Sequence, residues 1–254
     1  MVEIIDISKL ELEKARIFVE KEEDEFLILK GINNQKRWKL RKVLPARLTS
    51  QMIGFWFGDG DKVRSIGITN TKLELVRKFL DFTDTLGLPR DRFLLEIKLK
   101  KDSEIDVKKI SEELKIPEER MRIRRSELAT KPCFRVRLFS RVISRLFKTL
   151  ADWISNSSKD LKIEFLKGLI AAEGCVSLRK DGKIHEIFIS LKNKNEKECI
   201  KKNFLETIGI THIRENEDSI VIGRKENFNI IFSLNLMELH EEKFKKFISS
   251  FSLF

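Results

Sequence analysis

Apolar and polar residues alternate along this chain with two periods, one near 3.6 and one of 2, and together they lay out its elements. Two nearly unbroken apolar stretches stand out. Met52-Ile53-Gly54-Phe55-Trp56-Phe57-Gly58 ends in Asp59-Gly60, and Leu166-Lys167-Gly168-Leu169-Ile170-Ala171-Ala172 ends in Glu173-Gly174. The two align at one constant offset, small residue on small residue and acid on acid, and both read as buried helices. The segments downstream of them repeat as well. Ile66-Gly67-Ile68-Thr69-Asn70 leads into a helical pattern ending near Leu86-Gly87-Leu88, and Ile187 to Asn193 leads into one ending near Ile208-Gly209-Ile210. The second copy has the longer hairpin after its motif, turning at Lys180-Asp181-Gly182-Lys183, where Asp-Gly is a strong turn signal.

Period-2 alternation marks the later strands. Over 93–100, Phe93, Leu95, Ile97 and Leu99 share one face, while Leu94, Glu96, Lys98 and Lys100 share the other. Met121 and Ile123 are expected inward with Arg120, Arg122 and Arg124 outward. Phe134, Val136 and Leu138 are expected inward with Arg135 and Arg137 outward. These last two strands read as one hairpin. The coarse order is αββαββα, twice, so the predicted fold class is α+β, with two pseudo-symmetric halves at 49–156 and 157–254. Residues 1–48 form an N-terminal extension: a hairpin of 15–20 with 26–31, then the basic run Lys36-Arg37-Trp38-Lys39-Leu40-Arg41-Lys42. Residues 101–118 read as an inserted helix closed by Pro117.

Composition narrows the function. The chain has 254 residues with 41% hydrophobic and 36% charged, which suits a globular protein rather than a disordered one. Fifty-one Lys+Arg against forty Asp+Glu leave a net charge of +11, which favours polyanionic partners, nucleic acid first. The expectation is an intracellular protein without signal peptide or membrane span. Three widely spaced cysteines, Cys133, Cys175 and Cys199, form no disulfide framework, and neither they nor His185, His212 and His240 have zinc-site spacing.

Asp59 and Glu173 carry the candidate chemistry. Each carboxylate sits at the negative end of a helix dipole, an unfavourable placement of up to about 1 kcal/mol, followed by a glycine expected in a left-handed C-cap. An apolar helix ending this way is ordinarily a core helix with a plain turn; two in register suggest that a cation relieves the repulsion. Gly54, Gly58, Gly168 and Ala172 make a small-residue strip on each helix, so the two helices can approach closely. Paired acids then suit a hard divalent ion such as Mg²⁺, and paired ions serve phosphodiester cleavage. The outward Lys98, Lys100, Arg120, Arg122, Arg124, Arg135 and Arg137, with Arg179, Ser190, Lys192 and Arg214 in the second copy, are residue types that contact phosphates and base edges.

The duplicated motif resembles that of the LAGLIDADG homing endonucleases, in the single-chain form with two motifs, over roughly residues 49–254. The resemblance implies motif helices packed at a pseudo-twofold axis and antiparallel saddle-shaped sheets straddling double-stranded DNA. It further implies a monomer making Mg²⁺-dependent double-strand breaks at a long target, with two or more divalent ions. The catalytic acids would be Asp59 and Glu173, with Gly58 and Ala172 beside them as further metal ligands and Lys98 and Lys192 as candidate catalytic lysines. Phe57 and Ala171 depart from the motif at its earlier acid. A DNA-binding regulator that has lost cleavage, and an RNA-binding intron maturase, are the alternatives.

Overall fold

The computed structural model describes residues 3–32, 36–60, 62 and 64–251. The fold is α+β, and its elements group into two compact units, one comprising residues 1–49 and 59–150, the other 50–58 and 151–254. The helix α1 (Ala46–Asp59) therefore contributes its middle to the second unit. No described helix is long and apolar enough to cross a membrane.

The first unit begins with β1 (Ile4–Asp6), β2 (Ile17–Glu22), β3 (Phe26–Gly31), β4 (Trp38–Arg41) and β5 (Val43–Pro45). β2, β3 and β4 form an antiparallel sheet, and β1 pairs with β5. The expected hairpin is present, shifted toward Glu22 and carrying a bulge between Val19 and Lys21. The basic run supplies the third strand, whose alternation buries Trp38 and Leu40 and exposes Lys39 and Arg41.

After α1 come β6 (Ser65–Asn70), α2 (Leu73–Thr85), β7 (Leu94–Lys100), α3 (Val107–Leu114), β8 (Met121–Ser126), β9 (Cys133–Phe139) and α4 (Arg141–Ser155). The sheet order is β6-β9-β7-β8. Ile66, Ile68, Leu95, Ile97, Leu99, Val136 and Leu138 are buried on its inner face, and Phe79, Phe82 and Phe147 cluster with ring centroids 6.0–6.4 Å apart. The expected insertion is a helix, α3, capped by the Asp106 carboxylate, which accepts from the Lys109 N–H, and ended by Lys115 at φ 54°.

That insertion corrects the hairpin expected of β8 and β9. β7 lies between them, antiparallel to β9 and parallel to β8, with Lys98 opposite both Cys133 and Arg124. A parallel neighbour needs a long crossover, which the α3 segment supplies. β8 is consequently an edge strand. Ile123, expected inward, is 42% exposed, and Arg120 lies in the short helical turn Glu118–Arg120 ahead of β8. Among the described residues no strand stands between α1 and β6, so this half departs from αββαββα by that strand and by the added β8.

The second unit continues with α5 (Lys159–Glu173), β10 (Gly174–Leu178), β11 (Ile184–Ser190), α6 (Lys194–Cys199), β12 (Arg214–Glu215), β13 (Ser219–Ile222), α7 (Lys225–Ser233) and α8 (Glu241–Phe251). It follows αββαββα with one further helix. Its sheet is wholly antiparallel, in the order β10-β11-β13-β12, and the β10–β11 turn has Gly182 at φ 83° as the Asp-Gly signal predicts. α6 runs on through wider and tighter turns to Gly209 at φ 99°.

α5 is buried from Glu164 through Ala171, on all its faces, because residues 50–58 of α1 press on one side of it. A methyl group on Gly54 would meet the Phe165 carbonyl at 2.0 Å, and one on Gly168 the Gln51 carbonyl at 1.8 Å. The small-residue strips thus bring backbone against backbone. Phe57 meets the Phe165 ring edge-on at 5.6 Å, and Phe165 stacks on Phe204 at 4.3 Å. A polar cluster built on the buried Glu164 and Lys167 lies at the same seam: Lys167 bonds Glu164 at 3.1 Å and the exposed Glu238 at 2.8 Å, and the Gln51 amide donates to Glu164.

Candidate nucleic-acid interface and acid site

Asp59 is the last residue of α1 and is half-buried. Its carboxylate accepts from the Asn70 amide nitrogen at 3.2 Å. The Asn70 amide is itself held, because its oxygen accepts from the Lys72 N–H at 3.0 Å. Asn70 was legible as a repeated position but not as a partner of the acid. Asp59 lines a cavity of about 300 Å³ with Gly60, Gly67, Thr69, Arg135 and Arg137. Gly67 pairs with Arg137 across the ladder, and a methyl group there would strike the Val136 carbonyl at 2.0 Å. Its bare backbone brings β6 close to β9 below the acid.

Two arginines therefore share a cavity with one carboxylate. The Arg137 Nε is buried and has no hydrogen-bond partner, an arrangement that ordinarily costs 1–3 kcal/mol. Arg137 lies 5.4 Å from the Phe139 ring, and Glu96 is a distant neighbour at 3.7 Å. Cys133, opposite Lys98, reports the electrostatics of this end of the sheet. Burial pushes its thiol up, the Asp59 charge pushes it further, and Lys98 and Arg135 act against both. Asp59 and Lys98 thus act on the same sulfur.

The outer face of the first sheet reads across the ladder as Arg135, Glu96, Arg122 in one row and Cys133, Lys98, Arg124 in the next, with Lys100 opposite Ser126. Arg122 and Arg124 are exposed, and Arg135 is half-buried. The face is not free of acid: Glu96 sits within it and bonds Arg124 at 3.1 Å.

The basic run 36–42 is also less available than its charge suggests. Arg37 is bonded by Glu20, Lys39 by Glu23 at 2.9 Å, and Lys42 by Glu22. Arg37 and Lys30 hold the Glu20 carboxyl at about 2, and Lys21 and Lys39 hold that of Glu23 at about 2. β2 and the turn after it supply acids to the very sheet whose cations stood out in the sequence.

Glu173 ends α5 and is half-buried. A methyl group on Gly58 would lie 2.8 Å from its Cγ and 2.7 Å from the Ala172 Cβ, so the carboxylate arm runs beside Gly58. Gly174 is extended at φ −71°, not left-handed, which corrects the cap expected there. At Gly174 the demand is for space, since a methyl group would sit 2.5 Å from the Ile170 carbonyl. The Ala172 carbonyl accepts from the Lys243 ammonium at 3.1 Å. Nothing in the sequence pattern marked Lys243, which sits on the distant α8.

On the second sheet, Ser190 is exposed opposite Ser219, and Arg214 is bonded to Glu186. Arg179 and Lys192 lie just beyond the ends of β10 and β11. A cavity of about 520 Å³ gathers Arg179, His185, His212, Arg214 and Arg224. Arg224, at φ 75°, was missed because its position depends on a backbone turn that the residue type does not announce.

The donor set at each motif end is one hard carboxylate. That fits Mg²⁺, which is held by one or two carboxylates and completes its shell with water and phosphate oxygens. Among the described residues no three His, Cys, Asp or Glu side chains gather as a metal cage.

No protein-family model matches the chain, and no curated protein matches it. Solved structures do. The chain is similar to I-DmoI crystallised with DNA and Mn, at 15% identity over 74% of this chain and 96% of that one, with a TM-score of 0.48. It is similar to full-length DUF199/WhiA from Thermatoga maritima, at 13% identity over 80% of this chain and 60% of that one, with a TM-score of 0.48. The N-terminal LAGLIDADG domain of DUF199/WhiA aligns at 16% identity over 76% of this chain and 82% of that one, with a TM-score of 0.46.

Proposed function

We propose that this protein is a sequence-specific DNA endonuclease of the LAGLIDADG homing type, cutting both strands of a long target with Mg²⁺. The observation that carries the reading is Asp59: a helix-terminal carboxylate opening into one cavity with Arg135 and Arg137, at the edge of a sheet face rich in cations. Asp59 and Glu173 are the metal-binding acids. A divalent ion bound there supplies charge neutralisation at the scissile phosphate and lowers the pKa of a bound water.

The chain's own groups do the rest. Asn70 holds the Asp59 carboxylate in one orientation. Arg137, with its unpartnered Nε, and Arg135 bind and orient the phosphate group whose P–O bond water breaks. Lys98 adds positive charge from the neighbouring row of the sheet, and Lys192 is the corresponding candidate in the second unit. Arg122, Arg124 and Lys100 position the duplex through its backbone and read base edges.

A second reading, a DNA-binding regulator of the same fold without cleavage, draws on Lys243, whose ammonium already sits at the α5 end beside Glu173. Incubation with a randomised duplex library, in Mg²⁺ and in parallel in Ca²⁺, separates the two. One recovered site with short 3′ overhangs in Mg²⁺ alone supports the endonuclease. Selective binding with no cut establishes the regulator, and neither binding nor cutting of duplex DNA turns the search to RNA.

A further inference from the structure

The last turn of α5 already holds a cation. Lys243, on α8, donates to the carbonyls of Ile170 at 3.1 Å, Ala171 at 2.7 Å and Ala172 at 3.1 Å. Three acceptors match the three donors of an ammonium, and its charge offsets the negative end of the helix dipole. Lys246, less than a turn further on, donates to the Val176 carbonyl in β10. α8 therefore grips the strand and the helix end on either side of Glu173 and Gly174.

We propose that Lys243 lowers the divalent-ion affinity of Glu173 at the second motif. The proposal rests on the reading of Asp59 and Glu173 as metal-binding acids. An ion arriving at Glu173 meets an ammonium one residue away along the helix and finds the Ala172 carbonyl engaged. It loses one protein ligand and faces a like charge, both of which lower affinity. Lys243 is a positioning residue: it acts through the α5 terminus rather than on DNA.

Mn²⁺ titration of the full-length protein without DNA, followed by calorimetry and by the spin-resonance signal of free Mn²⁺, tests this directly. Asp59→Asn should remove one bound ion and Glu173→Gln another. Lys243→Met should tighten the Glu173-dependent ion about tenfold or more, while Lys243→Arg, which keeps the charge, should leave its affinity unchanged. Lys243→Met leaving the Glu173-dependent ion unchanged or weaker overturns the proposal. If Lys243→Met does not fold, Lys243→Gln is titrated in its place and read by the same two outcomes. If neither acid substitution removes an ion, the metal reading itself fails and takes the proposal with it.

Discussion

Gly168 has no room for a methyl group, since one would lie 1.8 Å from the Gln51 carbonyl and 2.7 Å from the Phe55 nitrogen. Gly168→Ala must push residues 50–58 away from α5, and the overpacking should cost about 3 kcal/mol, measured as a drop in denaturant midpoint at constant slope. The neighbouring Lys167 makes a different prediction. Lys167→Ala leaves Glu164, 3% exposed, without its cation, a loss of about 3 kcal/mol. Lys167→Ala combined with Glu164→Gln should recover part of that loss; a fully additive double variant would show the pair to be unimportant. Among single residues the sequence was informative where spacing speaks. Small residues every fourth position announced the close packing, and acid-glycine endings singled out Asp59 and Glu173 as candidates. Lys243 was silent, because its place depends on which distant backbone atoms the fold brings to it, and Asn70 showed as a repeated position but not as the partner of Asp59.

Among elements, the N-terminal sheet carries the clearest pH dependence. Hydrogen bonding from Arg37 holds Glu20 at about 2, and hydrogen bonding from Lys21 and Lys39 holds Glu23 at about 2, against an ordinary 4.5. A carboxyl whose folded pKa is depressed contributes stability above its unfolded pKa and loses it as pH falls through the folded one. The β2-β3-β4 sheet should therefore loosen between pH 4.5 and about 2, seen as faster amide exchange in Ile28 and Leu29 and a change in Trp38 fluorescence. Loosening that begins above pH 6 would assign the effect to other groups. Elements also mark where pattern reading stops. Strand alternation located β7 and β9 and their faces, but β8 looked like a hairpin partner of β9 because nearness in sequence favours that pairing. The α3 crossover reversed it, and only the ladder shows that β7 runs between the two.

Across the molecule the net charge of +11 predicts a salt-dependent grip on duplex DNA. The slope of log Kd against log salt should flatten by about one for each phosphate-contacting arginine removed, so Arg122→Ala, Arg124→Ala and Arg135→Ala are each expected to show it. Unchanged slopes in all three would move the footprint off this face. Lys39→Ala serves as the contrast: it is bonded to Glu23 in the N-terminal sheet, and its loss should leave the slope alone. The doubled architecture was visible from the two motifs, and α+β followed from their flanking periods. The chain's grouping of residues 50–58 with 151–254 was not visible, because a division by contacts need not respect the order of the chain.

On the proposed mechanism both acids are needed for double-strand cleavage and neither for binding. Cleavage beside affinity, on the recovered target, for Asp59→Asn and Glu173→Gln in Mg²⁺ puts the two halves of that statement to one test. Each variant is predicted to lose double-strand cleavage by about a thousandfold or more, the scale set by a transition-state interaction worth about 4 kcal/mol, while Kd in Ca²⁺ stays within about threefold of wild type, under about 1 kcal/mol. Undiminished cleavage by either variant would remove that acid from the catalytic site and contradict the two-acid mechanism.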